Sequence, residues 1–290
     1  MNTNSKPFLK WAGGKSQLIS QIESNLPEDL DSDEYTYIEP FVGSGAILFW
    51  IIQKYPNIKK IVINDINQEL INVYKTIVND PQNLINILKQ YQKDYHQLTN
   101  DSERKEYYYN KRTQFNSKNE SIVTQSALFI FLNKTCFNGL FRVNRKGEFN
   151  VPIGNYKKPT ICDEENLLAC SAVLQNATIL CGDYHETLNY VGEKSIFYFD
   201  PPYKPISKTS NFNSYSKDQF GDSEQDRLKK FCDMVDAQNY KWILSNSDTG
   251  DDFFDILYSQ YKINRVKAKR SINSAGSKRG EINELLIKNF

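Results

Sequence analysis

Short runs of β-branched and aromatic residues alternate along the chain with segments whose apolar residues recur at helical spacing. The short runs predict seven strands, at residues 35–39, 60–64, 178–181, 195–199, 241–245, 261–269 and 281–288. The helical spacing predicts helices at residues 46–54, 67–78 and 223–237, the last with Ser223 and Asp226 in capping-box positions. This alternation is typical of an α/β fold with a doubly wound, mostly parallel sheet of seven strands.

Residues 67–177, between the second and third predicted strands, interrupt this alternation. Their pattern predicts further helices at residues 81–95, 102–115 and 121–134. We therefore predict a catalytic domain formed by residues 1–66 and 178–290, and a mainly helical second domain formed by residues 67–177. Because no Pro-rich or Gly/Ser-rich linker separates them, we expect the two domains to pack against each other.

Composition excludes several classes of protein. The 290 residues include 36 Lys and Arg against 35 Asp and Glu, a balance that by itself argues against a partner as acidic as DNA. Five cysteines without a C-x-x-C pair, and two histidines, argue against disulfides and a metal site. The apolar runs are too short to span a membrane, and the N-terminal residues are polar, so we expect no membrane association and a cytoplasmic location.

The first candidate binding motif is Phe41-Val42-Gly43-Ser44-Gly45, between a predicted strand and a predicted helix. Glycines there permit a tight turn and the close approach of a ligand, although a plain structural turn is the alternative. Leu48 replaces the third glycine of the dinucleotide fingerprint, which disfavours a nicotinamide cofactor. Asp65, at the end of the next strand, is positioned to accept hydrogen bonds from ribose hydroxyls; the alternative is an N-cap for a helix starting at Ile66.

The second motif is Asp200-Pro201-Pro202-Tyr203, directly after the predicted strand 195–199. The prolines end the strand and make a rigid turn that presents a carboxylate, carbonyl oxygens and an aromatic face together. This combination suits a planar base with an exocyclic amine, whereas the simpler alternative is a strand-ending turn with a surface aromatic. A third segment, residues 10–15, contains Gly14-Lys15, but Leu9 stands where a phosphate loop needs glycine, so a nucleoside triphosphate is disfavoured.

Together, these motifs resemble those of the Dam-type DNA adenine-N6 methyltransferases, the D12 class of the α group. The resemblance covers nearly the whole chain and follows the order of that group. It rests on Lys10-Trp11-Ala12-Gly13-Gly14-Lys15, Phe41-Val42-Gly43-Ser44-Gly45, Phe137-Asn138-Gly139-Leu140-Phe141-Arg142-Val143-Asn144, Gly147-Glu148-Phe149-Asn150-Val151-Pro152, Asp200-Pro201-Pro202-Tyr203, Arg270-Ser271-Ile272-Asn273, Arg279-Gly280 and Glu284-Leu285-Leu286.

The resemblance implies S-adenosyl-L-methionine as the methyl donor, without a metal. Carried over by position, the cofactor-binding residues are Trp11, Lys15, Phe41, Gly43, Gly45, Asp65, Asp183, Tyr184 and Asp200, with Asp183 and Tyr184 at the cofactor's adenine ring. The catalytic residues are Asp200, Pro201 and Tyr203.

The resemblance also implies a set of DNA-binding residues: Lys10, Phe137, Asn138, Leu140, Arg142, Asn144 and Pro152. Within this set, Lys10 and Arg142 would read guanine, Phe137 and Leu140 would enter or brace the base stack, and Pro152 would contact a thymine methyl group. Phe137 stands where tyrosine is more common in this family. Phenylalanine retains the stacking face but lacks the hydroxyl.

The charge balance conceals two basic segments. Residues 133–159 contain six basic side chains and Glu148 as the single acid, and residues 262–280 contain seven basic side chains and no acid. A solvated face is the ordinary interpretation of such a run. Aromatic residues and glycines interleaved with the first segment instead favour contact with phosphates and bases.

We therefore predict a site-specific DNA methyltransferase that acts on N6 of a flipped-out adenine, in the sequence GATC. Two alternatives stay open: the same chemistry on cytosine N4 or another amine, and a DNA-binding protein without turnover. We expect a monomer whose partner is double-stranded DNA, with a restriction endonuclease as a further partner to be tested.

Overall fold

The computed structural model describes residues 4–11, 15–204, 220–269 and 281–290. The sheet in these residues contains the seven predicted strands, with ends that differ from the prediction by no more than two residues. The strands are β1 (Thr36–Glu39), β2 (Lys60–Asp65), β3 (Ala177–Cys181), β4 (Ser195–Phe199), β5 (Lys241–Ser247), β6 (Lys262–Lys269) and β7 (Glu281–Lys288).

The strand order is β3-β2-β1-β4-β5-β7-β6, with β7 antiparallel to both of its neighbours and the other pairings parallel. Strands β1 and β4, which end in the glycine and Asp-Pro-Pro-Tyr motifs, are adjacent, with Ile38 opposite Phe197. The order of connection reverses between these strands. In open α/β sheets a ligand crevice lies at such a reversal, beyond the carboxyl ends of the strands.

Helices flank the sheet, and the predicted α/β fold class is confirmed. They are α1 (Ile19–Glu23), α2 (Ala46–Lys54), α3 (Gln68–Asn79), α4 (Pro81–Gln97), α5 (Asp101–Ser117), α6 (Ile122–Thr135), α7 (Glu164–Leu174), α8 (Asp222–Ala237) and α9 (Phe253–Leu257). Helices α1, α7 and α9 were not among the predicted elements. None of the helices in the described part of the chain has the length and apolar character needed to cross a membrane.

The predicted capping box at the start of α8 is wrong. The helix begins at Asp222 after Gly221 and has no side-chain cap, so Ser223 and Asp226 lie inside its first turns. The negative charges of Asp222 and Glu224 in the first turn instead complement the positive end of the helix dipole.

Helix α6 is the centre of the insertion between β2 and β3. Residues 125–133 of this helix are buried on every side, because α3, α4 and α5 all pack against it. Helix α3 also contacts β2 and β3, so one apolar cluster extends from Phe8 and Tyr74 beside the sheet to Phe131 on α6. The division of the chain into domains at residues 66/67 and 177/178 stays a prediction.

Candidate active site

The turn after β1 is bound directly to the end of β2. The N–H of Gly43 donates to Asp65 Oδ2 at 3.1 Å, and the N–H of Asn67 donates to Asp65 Oδ1 at 2.9 Å. Each carboxylate oxygen therefore retains a lone pair for a further donor. Burial raises the pKa of Asp65, although the hydrogen bonds that it accepts from backbone N–H groups oppose this effect. The alternative in which Asp65 caps a helix at Ile66 is wrong, because α3 begins at Gln68 and Asn67 caps it.

Trp11 covers this turn. Gly43 has φ +49°, and a Cβ added there would lie 3.1 Å from the indole Nε1 of Trp11 and 3.2 Å from its Cδ1. Any side chain at position 43 would therefore fill the space between the turn and the indole. On its other side, Trp11 stacks on Phe141 at a centroid distance of 6.2 Å, which joins the candidate binding site to the insertion.

Residues after β3 line the same crevice. Gly182 N–H donates to the Asp65 carbonyl at 3.2 Å, and the rings of Phe41 and Tyr184 pack at 5.1 Å. Tyr184 is buried, so its ring forms a fixed packing surface for Phe41. Asp183 accepts from Arg227 of α8 at 2.5 Å. Burial by itself would raise the pKa of Asp183, but hydrogen bonds from the His185 N–H and from Arg227 outweigh it and lower the pKa.

Asp200 lies at the end of β4 and is held at one oxygen. Its Oδ1 accepts from the ammonium of Lys15 at 2.7 Å and from Ser245 Oγ at 3.4 Å. Among the described residues, neither Asp200 Oδ2 nor the Pro201 carbonyl accepts a hydrogen bond. Burial raises the pKa of Asp200, and the charge of Lys15 opposes this effect. The turn therefore presents acceptors that a polar group entering the crevice could use.

Tyr203 is bound through its hydroxyl to two buried charged groups. The hydroxyl accepts a hydrogen bond from Lys15 Nζ and donates to Glu284 Oε2 at 3.0 Å. Lys15 is 3% exposed, and its Nζ also lies 4.4 Å from the centroid of the Tyr203 ring. Burial raises the pKa of Tyr203 well above its usual value. The phenol is therefore neutral and fixed at its polar end.

Arg142 and Asn144 belong to a hairpin within the insertion. Arg142 Nε donates to Asn150 Oδ1 at 2.7 Å, and no partner binds its terminal amino groups in the described part of the chain. The amide oxygen of Asn144 accepts from the N–H groups of Lys146 and Glu148, and its Nδ2 donates to the Glu148 carboxylate. Asn144 thus shapes the hairpin turn, whereas Arg142 presents an unengaged guanidinium edge.

Phe137 projects from the adjacent turn. It is 51% exposed, and its N–H donates to the carbonyl of Pro152 at 2.9 Å. Asn138 follows with φ 55° and is exposed, while Leu140 is half-buried. The turn therefore brings Phe137 and Pro152 together at the surface.

Lys10 is joined to this turn by a close approach of the two backbones. Gly139 has φ +64°, and a Cβ added there would lie 2.2 Å from the Cβ of Lys10, so only glycine fits. Asn133 of α6 bonds to the carbonyls of both Lys10 and Gly139. The ammonium of Lys10 lies 3.8 Å from the centroid of the Tyr156 ring. Lys10 is thereby held against the turn that carries Phe137.

Comparison with known proteins identifies the family. The family model for the D12 class N6 adenine-specific DNA methyltransferases matches residues 11–272, which contain both motif-bearing strand ends and the insertion. The chain belongs to this family.

Relatives match this D12-class chain almost from end to end. The Type II methyltransferase M.MjaIII of Methanocaldococcus jannaschii is 52% identical over 289 residues, which cover 98% of this chain and 99% of the relative. The Type II methyltransferase M1.LlaDCHI of Lactococcus lactis is 35% identical, over 99% of this chain and 96% of the relative. The DNA adenine methylase of Escherichia coli K12 is 33% identical, over 97% and 94% respectively.

The structure links the predicted site residues of this D12-class protein in three connected groups. One contains Trp11, the glycine turn and Asp65, with Asp183 and Tyr184 beside it. A second surrounds Asp200, and the third contains Lys10, Phe137 and the hairpin. The predicted segments 12–14, 270–273 and 279–280 lie outside the described residues. In the second basic segment, Lys262 is exposed, whereas Arg265 pairs with Asp248 and Asp255.

Three residues of this D12-class site were not predicted as site residues. Ser245 comes from β5, where the apolar run indicated a strand and nothing more. Glu284 comes from β7 and belongs to the Glu284-Leu285-Leu286 segment of the resemblance, which carried no predicted role in the site. Asn133 interrupts the apolar run of α6, and that interruption was the available signal: a buried amide needs partners, here two backbone segments.

Proposed function

We propose that this protein transfers a methyl group from S-adenosyl-L-methionine to N6 of an adenine flipped out of double-stranded DNA, in the sequence GATC. The observation that carries this proposal is the Asp200 carboxylate at the reversal between β1 and β4. It is oriented through Oδ1 by Lys15 and Ser245, while Oδ2 is unengaged by any described residue. Membership of an adenine-specific DNA methyltransferase family provides the reaction class.

The crevice after β1 has features that suit the donor. S-adenosylmethionine would supply a methyl group already activated for nucleophilic attack. The Asp65 carboxylate has acceptor capacity left for ribose hydroxyls, and the absence of a Cβ at Gly43 lets Trp11 lie close over the turn. Asp183 and the exposed Ile66, directly after Asp65, are available to a purine ring at the edge of the crevice.

Asp200 and Pro201 suit the adenine amine. The lone pair of this amine is delocalised into the ring, which makes the nitrogen a poor nucleophile. Acceptance of its two hydrogens by Asp200 Oδ2 and the Pro201 carbonyl would favour a pyramidal nitrogen with more electron density for attack. Tyr203 supplies a ring of fixed orientation beside this acceptor pair, against which a flipped base would stack at the cost of a few kcal/mol for unstacking it from the duplex.

The insertion supports a DNA substrate and its sequence. The unengaged terminal amino groups of Arg142 match the O6 and N7 acceptors of guanine. Phe137 offers an exposed aromatic face to the base stack. The choice of GATC rests on the resemblance of this segment to the Dam type, and relatives named DNA adenine methylase align over 97% of this chain.

We further propose that residues 67–177 form the target-recognition domain and that the protein acts as a monomer. Relatives named Type II methyltransferase raise the question of a partner endonuclease for this chain, and DNA adenine methylases are similar to it as well.

The test is to incubate the purified protein and labelled donor with unmethylated plasmid, and to map modified bases at single-nucleotide resolution. We expect methyl groups on the adenine of GATC. Methyl groups at other adenines would reject the sequence assignment, and methyl groups on cytosine N4 would favour the other amine. Binding of GATC duplex without any transfer would favour the DNA-binding protein without turnover.

A further inference from the structure

Glu284 lies in the middle of β7, opposite Ser247 of β5, and is 7% exposed. Because β7 is antiparallel to β5, it brings this carboxylate to the crevice edge near the end of β4. Glu284 Oε2 accepts from the Tyr203 hydroxyl at 3.0 Å and lies 3.9 Å from Lys15 Nζ. We propose that Glu284 is a positioning residue for methyl transfer, which holds Lys15 and Tyr203 in place around Asp200. This inference rests on the proposed function.

The first part of this role concerns charge. Two carboxylates, Asp200 and Glu284, flank the single buried ammonium of Lys15, at 2.7 Å and 3.9 Å. With Glu284 ionised, the charge of Lys15 is shared between the two. Without that second anion, Lys15 would withdraw more electron density from Asp200. The carboxylate that receives the amine hydrogens would then be a weaker acceptor.

The second part concerns the orientation of Tyr203. Its hydroxyl is placed between a donor, Lys15, and an acceptor, Glu284. Two opposed hydrogen bonds fix both the position of the oxygen and the direction of its proton, so the ring is held at its outer end as well as by Pro202 at its backbone. A ring fixed in this way is prepared for stacking before the base arrives, which removes an ordering cost from the reaction.

Burial supports a functional linkage between these groups. It raises the pKa of Glu284, and the nearby charge of Asp200 raises it further, whereas Lys15 lowers it. Among the described residues, the titratable groups that face Glu284 are Lys15, Asp200 and Tyr203, with Tyr198 of β4 close behind. Because Lys15 lies near both carboxylates, a change in the charge of Glu284 acts on Asp200 through Lys15.

The test uses Glu284→Gln, which keeps the size of the side chain and an acceptor for Tyr203 while removing the charge. In the full-length protein, we expect the single-turnover rate of methyl transfer to fall about tenfold or more, as loss of a charge-assisted interaction predicts. The KM for GATC duplex and the Kd for S-adenosylhomocysteine should stay within about twofold of the wild type, because the proposed role of Glu284 is exerted through Tyr203 and Lys15 and not by contact with either ligand. Glu28→Gln, which changes an exposed carboxylate in the turn after α1, is the matched control.

The pH profile separates positioning from a merely structural role. Removing the anion beside Asp200 stabilises the ionised form of Asp200, so the acid limb of the single-turnover rate should move to lower pH in Glu284→Gln. A structural role would leave this limb in place. Glu284→Asp keeps the charge but shortens the reach, so its rate should fall while its acid limb stays close to that of the wild type; this variant decides the question if Glu284→Gln does not fold.

A wild-type rate and pH profile in folded Glu284→Gln would overturn the proposal, as would a loss of rate that parallels loss of donor binding. These results differ from those expected if the proposed function is wrong. If it is wrong, the wild-type protein itself would transfer no methyl group to adenine under the same conditions.

Discussion

The side chain of Asn133 binds both backbone polar groups of Lys10. Its Oδ1 accepts from the Lys10 N–H at 2.8 Å, and its Nδ2 donates to the Lys10 carbonyl at 2.7 Å and to the Gly139 carbonyl at 3.0 Å. A single buried amide thus connects the N-terminal segment to the turn that carries Phe137. The positions of two separate predicted DNA contacts are therefore set by one residue of α6.

Asn133→Ala tests this connection. We expect the free energy of unfolding to fall by about 3 kcal/mol, because each buried backbone group left unpaired costs about 1–3 kcal/mol. Preference for the guanine read by Lys10 should decrease as well. Denaturant unfolding and competition between GATC and substituted duplexes measure the two effects, with Asn110→Ala on the exposed face of α5 as the control. A stable variant with unchanged preference would show that the connection is dispensable.

Arg142→Ala tests guanine recognition. Loss of a bidentate contact to O6 and N7 should reduce discrimination at one guanine by about 1–3 kcal/mol, while affinity for S-adenosylhomocysteine stays unchanged. The ratio of kcat/KM for GATC and singly substituted duplexes measures this discrimination. Arg145→Ala, at the exposed hairpin tip, should instead weaken binding to all sequences alike. Equal discrimination in Arg142→Ala and the wild type would reject the assignment.

Phe137→Ala tests entry of the exposed ring into the base stack. Stability should change little, since half of the side chain is already in solvent. DNA affinity should fall by about 1–3 kcal/mol, the usual contribution of an aromatic ring stacked on a base. A duplex with 2-aminopurine at the target adenine reports extrusion of the base by its fluorescence. Ile122→Ala, which removes another exposed apolar side chain, should leave the signal intact; an equal loss in both variants would contradict the role of Phe137.

Asp65→Asn tests the donor site. The carboxamide replaces one acceptor by a donor that faces the N–H of Asn67 or Gly43, and it removes the charge available to ribose hydroxyls. Affinity for S-adenosylhomocysteine, measured by calorimetry, should fall by about 1.5–3 kcal/mol, the range for hydrogen bonds to charged groups. Asp33→Asn, at a surface ion pair with Lys194, is the control. Wild-type affinity in Asp65→Asn would place the ribose elsewhere.

Strand positions were predictable from the sequence because β1 and β4 are buried on both faces and therefore appear as continuous apolar runs. The adjacency of the two motif-bearing strands, in contrast, was established by the structure and not by the sequence. The start of α8 was not predictable in the same way. Ser223 matches a capping pattern, yet the backbone turns into the helix two residues earlier, at Gly221.

The composition of the site was only partly predictable. Asp65 and Asp200 belong to recognisable local motifs at strand ends. Glu284 reaches Tyr203 across 81 residues of sequence, and Asn133 reaches Lys10 across 123. Contacts of this kind depend on the pairing of β7 and the packing of α6. No local pattern in the sequence specifies them.

In the proposed function, the Asp200 turn directs a methyl group to N6 of adenine. The most direct measurement is to incubate wild-type protein and Asp200→Asn with S-adenosylmethionine and a GATC duplex, and then to quantify methylated nucleosides in the digested DNA by mass spectrometry. We expect N6-methyldeoxyadenosine with the wild type, and a rate lower by at least about a hundredfold with Asp200→Asn at saturating S-adenosylmethionine, with binding of the duplex retained. Equal amounts of N6-methyldeoxyadenosine from both proteins, or methylation of cytosine alone, would contradict it.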